Sequence, residues 1–420
     1  MRTSSPLWES LLPLGRQGRP EYTAVGAKGT RLRFADGSEV LDATSGLWNV
    51  NIGYGDGVIA RAITEACHEA SYLSLFRHGH TYAVRAARAL TAAAGPEAYQ
   101  RVVFSTSGGS ANDLAMKIAR QYAVLRGEPQ RRLVVGLRGS YHGLTYGAHS
   151  LAGENLGQQT YGVDVRNVRH VDPDRPEELE QLMRRHGHQV ASLVCEPVLG
   201  SGVRPLTDAF LRTVLELRRT YGFLLVADEV ATGYGRTGPL FASGEWPEAP
   251  DLLLTSKGLT NGTCAASAVL VSPRIGDTFE ERDAVLVHAE TQAGTPPSCA
   301  AIMATLQRFD ALGALAAGRH TARELDRILT DLTDRMPAVR GTTGAGCFRA
   351  VHLRDAEGRA FDTEAVRAAI ADIRRRGALV YPGPGCVQLV PILTSTPQDL
   401  ADLEWALHQG LATASRRAGF

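Results

Sequence analysis

From about Val102 onward, short apolar runs alternate with longer stretches whose apolar residues recur every three or four positions. The first pattern predicts short, largely buried strands, and the second predicts amphipathic helices that cover a sheet. Their alternation predicts an α/β fold, a large domain built on a mostly parallel central sheet. Strands are expected at 102–105, 133–136, 192–195, 223–227, 252–255 and 266–271, with helices such as 112–125 and 208–220 between them. After about Leu312 the chain turns to Arg/Ala-rich helices, at 321–335 and 363–376, with short strands near Phe348 and Val387. That change predicts a second, smaller α+β domain at 313–420. Residues 1–55 hold several glycines and aromatics and no long periodic helix, so they are expected to form an arm and part of the small domain. The large domain then occupies 56–312.

Composition narrows the function classes. At 420 residues the chain exceeds one ordinary domain, and 44% hydrophobic with 21% charged residues is the balance of a globular protein. Lys plus Arg (45) nearly cancels Asp plus Glu (44), which leaves no net field to hold nucleic acid or an anionic membrane. A small-molecule ligand is expected instead. Six cysteines lie singly along the chain with no CxxC pair, which argues against a zinc site or a disulfide framework and for a reducing cytoplasm. Residues 1–18 hold no continuous apolar segment, and no run of about 18 apolar residues occurs, so no membrane association is expected.

Several residues carry candidate chemistry. Asp228 ends the apolar run Phe223-Leu224-Leu225-Val226-Ala227, at the edge where an open parallel sheet presents its ligands. Burying an unpaired carboxylate there costs on the order of several kcal/mol, so a cation such as a protonated pyridine nitrogen is the expected partner. By itself the residue fits a turn-capping aspartate equally well. Lys257 stands 29 residues later, after the next apolar run, and should emerge at the same edge. Desolvation there would free its amine as a nucleophile, whereas a lone lysine is more often a surface charge. Ser105-Thr106-Ser107-Gly108-Gly109-Ser110 lies between a strand and a helix, where free N–H groups and the positive helix end suit a phosphate. An ordinary serine-capped helix reads the same way. Tyr141-His142-Gly143 follows another strand and could lay a ring on a ligand face, or form a surface loop. Gly341-Thr342-Thr343-Gly344-Ala345-Gly346 has the wrong spacing and surroundings for a dinucleotide loop.

A lysine nucleophile, an acid for a pyridine nitrogen, an anion cradle and ring-holding walls are the four needs of pyridoxal phosphate (PLP) chemistry. Longer stretches add to them. Near the N-terminus stands Ser45-Gly46-Leu47-Trp48-Asn49-Val50-Asn51-Ile52-Gly53-Tyr54-Gly55, and the cradle continues Ser107-Gly108-Gly109-Ser110-Ala111-Asn112-Asp113. Glu196-Pro197-Val198, Asp228-Glu229-Val230-Ala231-Thr232-Gly233-Tyr234-Gly235-Arg236-Thr237-Gly238 and Ser256-Lys257-Gly258-Leu259-Thr260-Asn261-Gly262 complete the set. Together they resemble the class III (ω-type) aminotransferases of PLP fold type I, over about residues 41–306 and more weakly beyond. The cradle departs at Gly109 and Ser110 from the family's usual Ser-Gly-Ser-Glu-Ala-Asn-Asp.

The resemblance implies a cofactor, PLP, and a role for each matching residue. Ser107, Gly108 and Gly109 would hold the phosphate, Asp228 would pair with the pyridine nitrogen, and Lys257 would be both Schiff-base lysine and proton shuttle. Tyr141 and Val230 would flank the ring, with His142 and Glu196 in support. The segment 288–296 resembles the one from which a neighbouring subunit donates a threonine to the phosphate, here Thr291, so a homodimer with shared sites is implied. Trp48 would face the substrate. Tyr381, in Leu379-Val380-Tyr381-Pro382-Gly383, stands in a stretch where many relatives carry an arginine that binds α-carboxylates. A phenol cannot reproduce the paired charged hydrogen bonds of a guanidinium, so the implied acceptor is an aldehyde or ketone without an adjacent carboxylate. Alternatively Tyr381 is only packed and Arg77 or Arg376 binds carboxylates. The activity implied is ping-pong amino-group transfer, with epimerisation, aminomutation or decarboxylation as the alternatives within the fold.

Overall fold

The computed structural model describes residues 6–420. Three short strands, β1 (Ala24–Lys28), β2 (Arg31–Phe34) and β3 (Glu39–Asp42), form an antiparallel meander at the N-terminal side. The central sheet follows, from β4 (Arg101–Ser105), β5 (Leu133–Leu137), β6 (Val168–Val171) and β7 (Val190–Cys195). A short hairpin, β8 (Val198–Leu199) and β9 (Arg204–Pro205), precedes β10 (Leu224–Asp228), β11 (Leu252–Thr255) and β12 (Ser267–Val271). The spatial order is β4-β12-β11-β10-β7-β5-β6. Only β12 runs against its neighbours, and the other pairs are parallel.

Every residue of β5, β7, β10, β11 and β12 is buried, because helices cover both faces. The Gly108–Leu125 helix shows how: Ala111, Leu114, Ala115, Ile118, Ala119 and Tyr122 make one buried stripe at helical spacing. Its N-cap Ser107 accepts the Ser110 N–H, and the Asp208–Tyr221 helix starts on Thr207 and ends at a left-handed Gly222. β6 was not among the expected strands. At this sheet edge Arg169 and His170 stand between Val168 and Val171, so no apolar run marks it.

At the C-terminal side, β13 (Val339–Ala345), β14 (Phe348–Leu353), β15 (Ala378–Leu379), β16 (Tyr381–Gly383) and β17 (Cys386–Leu389) alternate with long helices. The antiparallel order is β13-β14-β17-β16, while β15 leaves that sheet and pairs in parallel with β3. Backbone bonds Ala43 N to Leu379 O (2.9 Å) and Val390 N to Ala43 O (2.8 Å) extend this junction. One hydrophobic core runs from Leu41 and Ile52 through Leu253 and Leu270 to Leu325 and Leu403. Among the described residues no helix is long and apolar enough to cross a membrane.

Candidate active site

β10 and β11 are parallel neighbours with Asp228 opposite Leu254, so Asp228 and the turn after Thr255 leave the sheet at one edge. Asp228 is 3% exposed. Its Oδ2 accepts His142 Nδ1 at 2.7 Å and Asn112 Nδ2 at 2.8 Å, whereas Oδ1 takes only Val230 N at 3.1 Å. Burial acts to lower the His142 pKa, but the bond to Asp228 and the charges of Asp228 and Glu196 carry it above its ordinary value. Glu196, held by the N–H groups of Tyr141 (3.0 Å) and Gly200 (3.0 Å), is pushed up to about 7, chiefly by burial.

Lys257 opens the turn after β11 with φ 45°, a left-handed conformation that a non-glycine residue keeps only when its surroundings impose it. Asn261, also left-handed, ties this turn to the arm through Ile52 N (3.0 Å) and Gly53 O (2.9 Å). Burial lowers the Lys257 pKa, Asp228 and Glu196 oppose it, and the Arg236 charge adds to it. An amine so placed is a better nucleophile than a surface lysine.

The segment 107–110 crosses the same edge. A Cβ at Gly108 would lie 2.9 Å from Val230 Cγ1, and one at Gly109 would lie 3.1 Å from Thr145 Oγ1. Gly143, at φ 119°, lies against this loop so closely that a Cβ there would approach Gly109 Cα to 2.6 Å. The 141–143 loop and the cradle therefore fit only as a glycine pair.

The facing wall comes from the arm. Ser45, Gly46, Leu47 and Trp48 all have positive φ, at 48°, 55°, 71° and 58°, a single turn of left-handed helix. Each non-glycine residue in that conformation costs roughly 1–2 kcal/mol. Asp42, 1% exposed, offsets it: Oδ1 accepts Thr44 N (2.8 Å) and Thr44 Oγ1 (2.6 Å), and Oδ2 accepts Gly46 N (2.7 Å) and Tyr54 Oη (2.6 Å). The turn sets the Trp48 ring 5.1 Å from Lys257 Nζ and 4.6 Å from the Tyr381 ring. Both contacts are in the range of ring interactions.

Trp48, Tyr141, His142, Glu196, Asp228, Val230, Lys257, Tyr381 and the 107–110 loop thus surround one edge. Arg77 and Arg376 are exposed, and neither makes a side-chain hydrogen bond or ion pair with another described residue. Thr291 is exposed beside Glu290, whose carboxylate binds Ser105, Thr106 and His288. Three participants lacked a role in the sequence reading, Asp42, Asn112 and Gln388. Asn112 lies within the cradle motif. Gln388, the one amide in the apolar run Cys386-Val387-Gln388-Leu389-Val390, pairs across from Tyr381 and keeps a buried, unpartnered Oε1.

A family model described as aminotransferase class-III matches residues 15–411. The chain belongs to the class III aminotransferases. An adenosylmethionine-8-amino-7-oxononanoate aminotransferase of Nitratidesulfovibrio vulgaris is 33% identical, across 90% of this chain and 74% of that one. An omega-aminotransferase of Caulobacter vibrioides is 33% identical across 74% and 76%. The crystal structure of an amine transaminase from an uncultivated Pseudomonas species, in its PLP-bound form, matches with a TM-score of 0.90 at 29% identity, covering 99% of each chain. This aminotransferase has PLP fold type I, moves an amino group from a donor to a carbonyl acceptor, and uses PLP. The residues present fit that cofactor. Asp228 Oδ1 has capacity for a ring N–H, His142 Nε2 and Asn112 Oδ1 are buried without partners, and Gly108 and Gly109 leave no room for side chains.

Proposed function

We propose that Lys257 and Asp228 carry the transfer and that the acceptor is an aldehyde or ketone with no carboxylate on its reacting carbon. One observation carries this reading: Trp48 and Tyr381 wall the space at Lys257, and among the described residues the one arginine whose charge acts on Lys257 is Arg236. Arg236, the arginine whose charge reaches Lys257, is already bound to Asn51 Oδ1 (2.8 Å), Pro391 O (2.5 Å) and Cys347 O (3.5 Å). The omega-aminotransferase and amine transaminase relatives support it. A specialised-metabolite intermediate or a modified peptide end meets the same requirement.

PLP supplies, when bound, a carbonyl carbon that takes the amino group and a ring that withdraws electron density. Asp228, oriented by Asn112 and His142, holds a proton at the ring nitrogen. The 107–110 N–H groups would bind the phosphate, and Tyr141 and Val230 would hold the ring. Lys257 Nζ would remove a proton from the donor carbon and deliver it to the cofactor carbon on the far side of the transferred nitrogen. Trp48 and Tyr381 would orient the substrate. Water supplies the oxygen with which the donor leaves as a carbonyl compound before the acceptor enters, and the same groups act in reverse. We infer a homodimer in which the partner's copy of Thr291 reaches the phosphate. Its exposure here, and the exposed apolar side chains of Val285 and Val287 nearby, support that assembly. Six free cysteines support a cytoplasmic setting.

Steady-state rates with a ketone and its α-keto acid analogue test the acceptor. The ketone should have the higher kcat/KM. A clear preference for the keto acid, lost on replacing Arg77 or Arg376, would overturn the reading.

A further inference from the structure

The left-handed turn raises a question the catalytic groups leave open. Three of its four residues are not glycine, yet no right-handed alternative would set Trp48 where it lies, because the conformation fixes where each Cβ points. Two sets of contacts hold the turn. The first anchors its location: Ser45 Oγ donates to Val390 O (2.5 Å), beside the Ala43 bonds to Leu379 and Val390. The second fixes its handedness, and all four of those bonds end on the Asp42 carboxylate. Tyr54 closes the last opening, since a Cβ at Gly46 would lie 2.7 Å from its Oη.

We propose that Asp42 is a positioning residue for substrate selection: its carboxylate imposes the left-handed turn that sets Trp48 against Lys257 and Tyr381. An asparagine has the same shape but one acceptor oxygen, so whichever way its amide lies, either Thr44 N or Gly46 N, which bond to different oxygens of the carboxylate, loses its acceptor. The turn then relaxes and the Trp48 ring leaves its place, while the Val390 and Leu379 bonds keep the arm attached. This rests on the reading that Trp48 faces the substrate.

The test is a double-mutant cycle on the holoenzyme with Asp42→Asn and Trp48→Ala, read as the kcat/KM ratio of 1-phenylethylamine to 2-aminobutane. Each single variant should shift that ratio by about fivefold or more, mainly through KM, and Asp42→Asn should shift it less than about twofold once Trp48 is gone. Tyr54→Phe, which removes one bond of the four, should move the ratio the same way by a smaller factor and covers the case in which Asp42→Asn fails to fold. Hydrogen exchange of the 44–50 amides should quicken in Asp42→Asn while β1 and β2 stay protected. If Trp48→Ala leaves the ratio unmoved, both the substrate wall and this proposal fall. If Trp48→Ala moves it but the Asp42→Asn shift persists in full without Trp48, or neither Asp42→Asn nor Tyr54→Phe moves it, the proposal alone falls.

Discussion

Lys257 and Asp228 were legible as residues because each ends an apolar run, and parallel neighbouring strands bring such ends to one edge. Asp42 and Gln388 were not, since Asp42 acts through a turn conformation that residue types do not encode and Gln388 donates to Gly200 O, 188 positions away. Lys257→Ala should abolish turnover yet leave PLP bound without a covalent link, because the cradle and Asp228 remain; cofactor retained through gel filtration and absorbing as free aldehyde is the check. Asp228→Asn should slow the chemical step by orders of magnitude, since a neutral amide cannot hold the ring proton. Glu196 gives a pH prediction. Its folded value of about 7 lies above the ordinary 4.5, so the folded chain binds the extra proton between them. The stability it contributes is present below the unfolded value and is lost as pH rises through about 7. His142, also raised, acts in the same direction. The loss assigned to Glu196 is on the order of 3 kcal/mol. Glu196→Gln cannot titrate, so in urea unfolding of the cofactor-free chain its deficit against the parent should shrink or invert between pH 5 and pH 8. A constant gap would refute the assignment.

At the scale of elements, apolar runs located six strands of the central sheet within a residue or two, whereas the polar edge strand β6 escaped. The discarded glycine segment 341–346 has a packing role instead. It spans β13 and its turn into β14, where a Cβ at Gly344 would lie 2.1 Å from Phe348 O and one at Gly346 would lie 2.5 Å from Thr237 C. The left-handed turn 45–48 was illegible because only Gly46 among its residues favours positive φ. For the cradle, the fit of one loop against another gives the prediction. Gly143→Ala adds a Cβ at φ 119° only 2.6 Å from Gly109 Cα, so one loop must shift. The strain should cost about 1–3 kcal/mol and weaken PLP retention roughly tenfold or more. Equilibrium dialysis measures it, and parental affinity would mean that the cradle tolerates the displacement.

Across the whole molecule, the substrate wall depends on segments from distant parts of the chain meeting in register, and Arg236 stands at their meeting point. It is fully buried with no carboxylate bonded to it; its Nη1 donates to Pro391 O and Cys347 O on the C-terminal side, and its Nη2 donates to Asn51 Oδ1 on the arm. Asn51 in turn donates to Tyr234 O at 2.7 Å and accepts Leu393 N through its carbonyl at 2.9 Å. Burial lowers the guanidinium to about 10, so it stays charged at neutral pH. A charge buried among carbonyl dipoles is stable only while those dipoles stay in place, and they in turn lose their donor when it is removed. Arg236→Ala should therefore destabilise the fold by about 3–5 kcal/mol, and Arg236→Lys should rescue little of it, since one ammonium cannot span acceptors on both sides. Urea unfolding gives the energies, and limited proteolysis should show earlier cleavage near residues 45–55 in both variants. An Arg236→Lys variant within about 1 kcal/mol of the parent would mean that charge alone, and not the two-sided reach of the guanidinium, holds arm, central sheet and C-terminal sheet together.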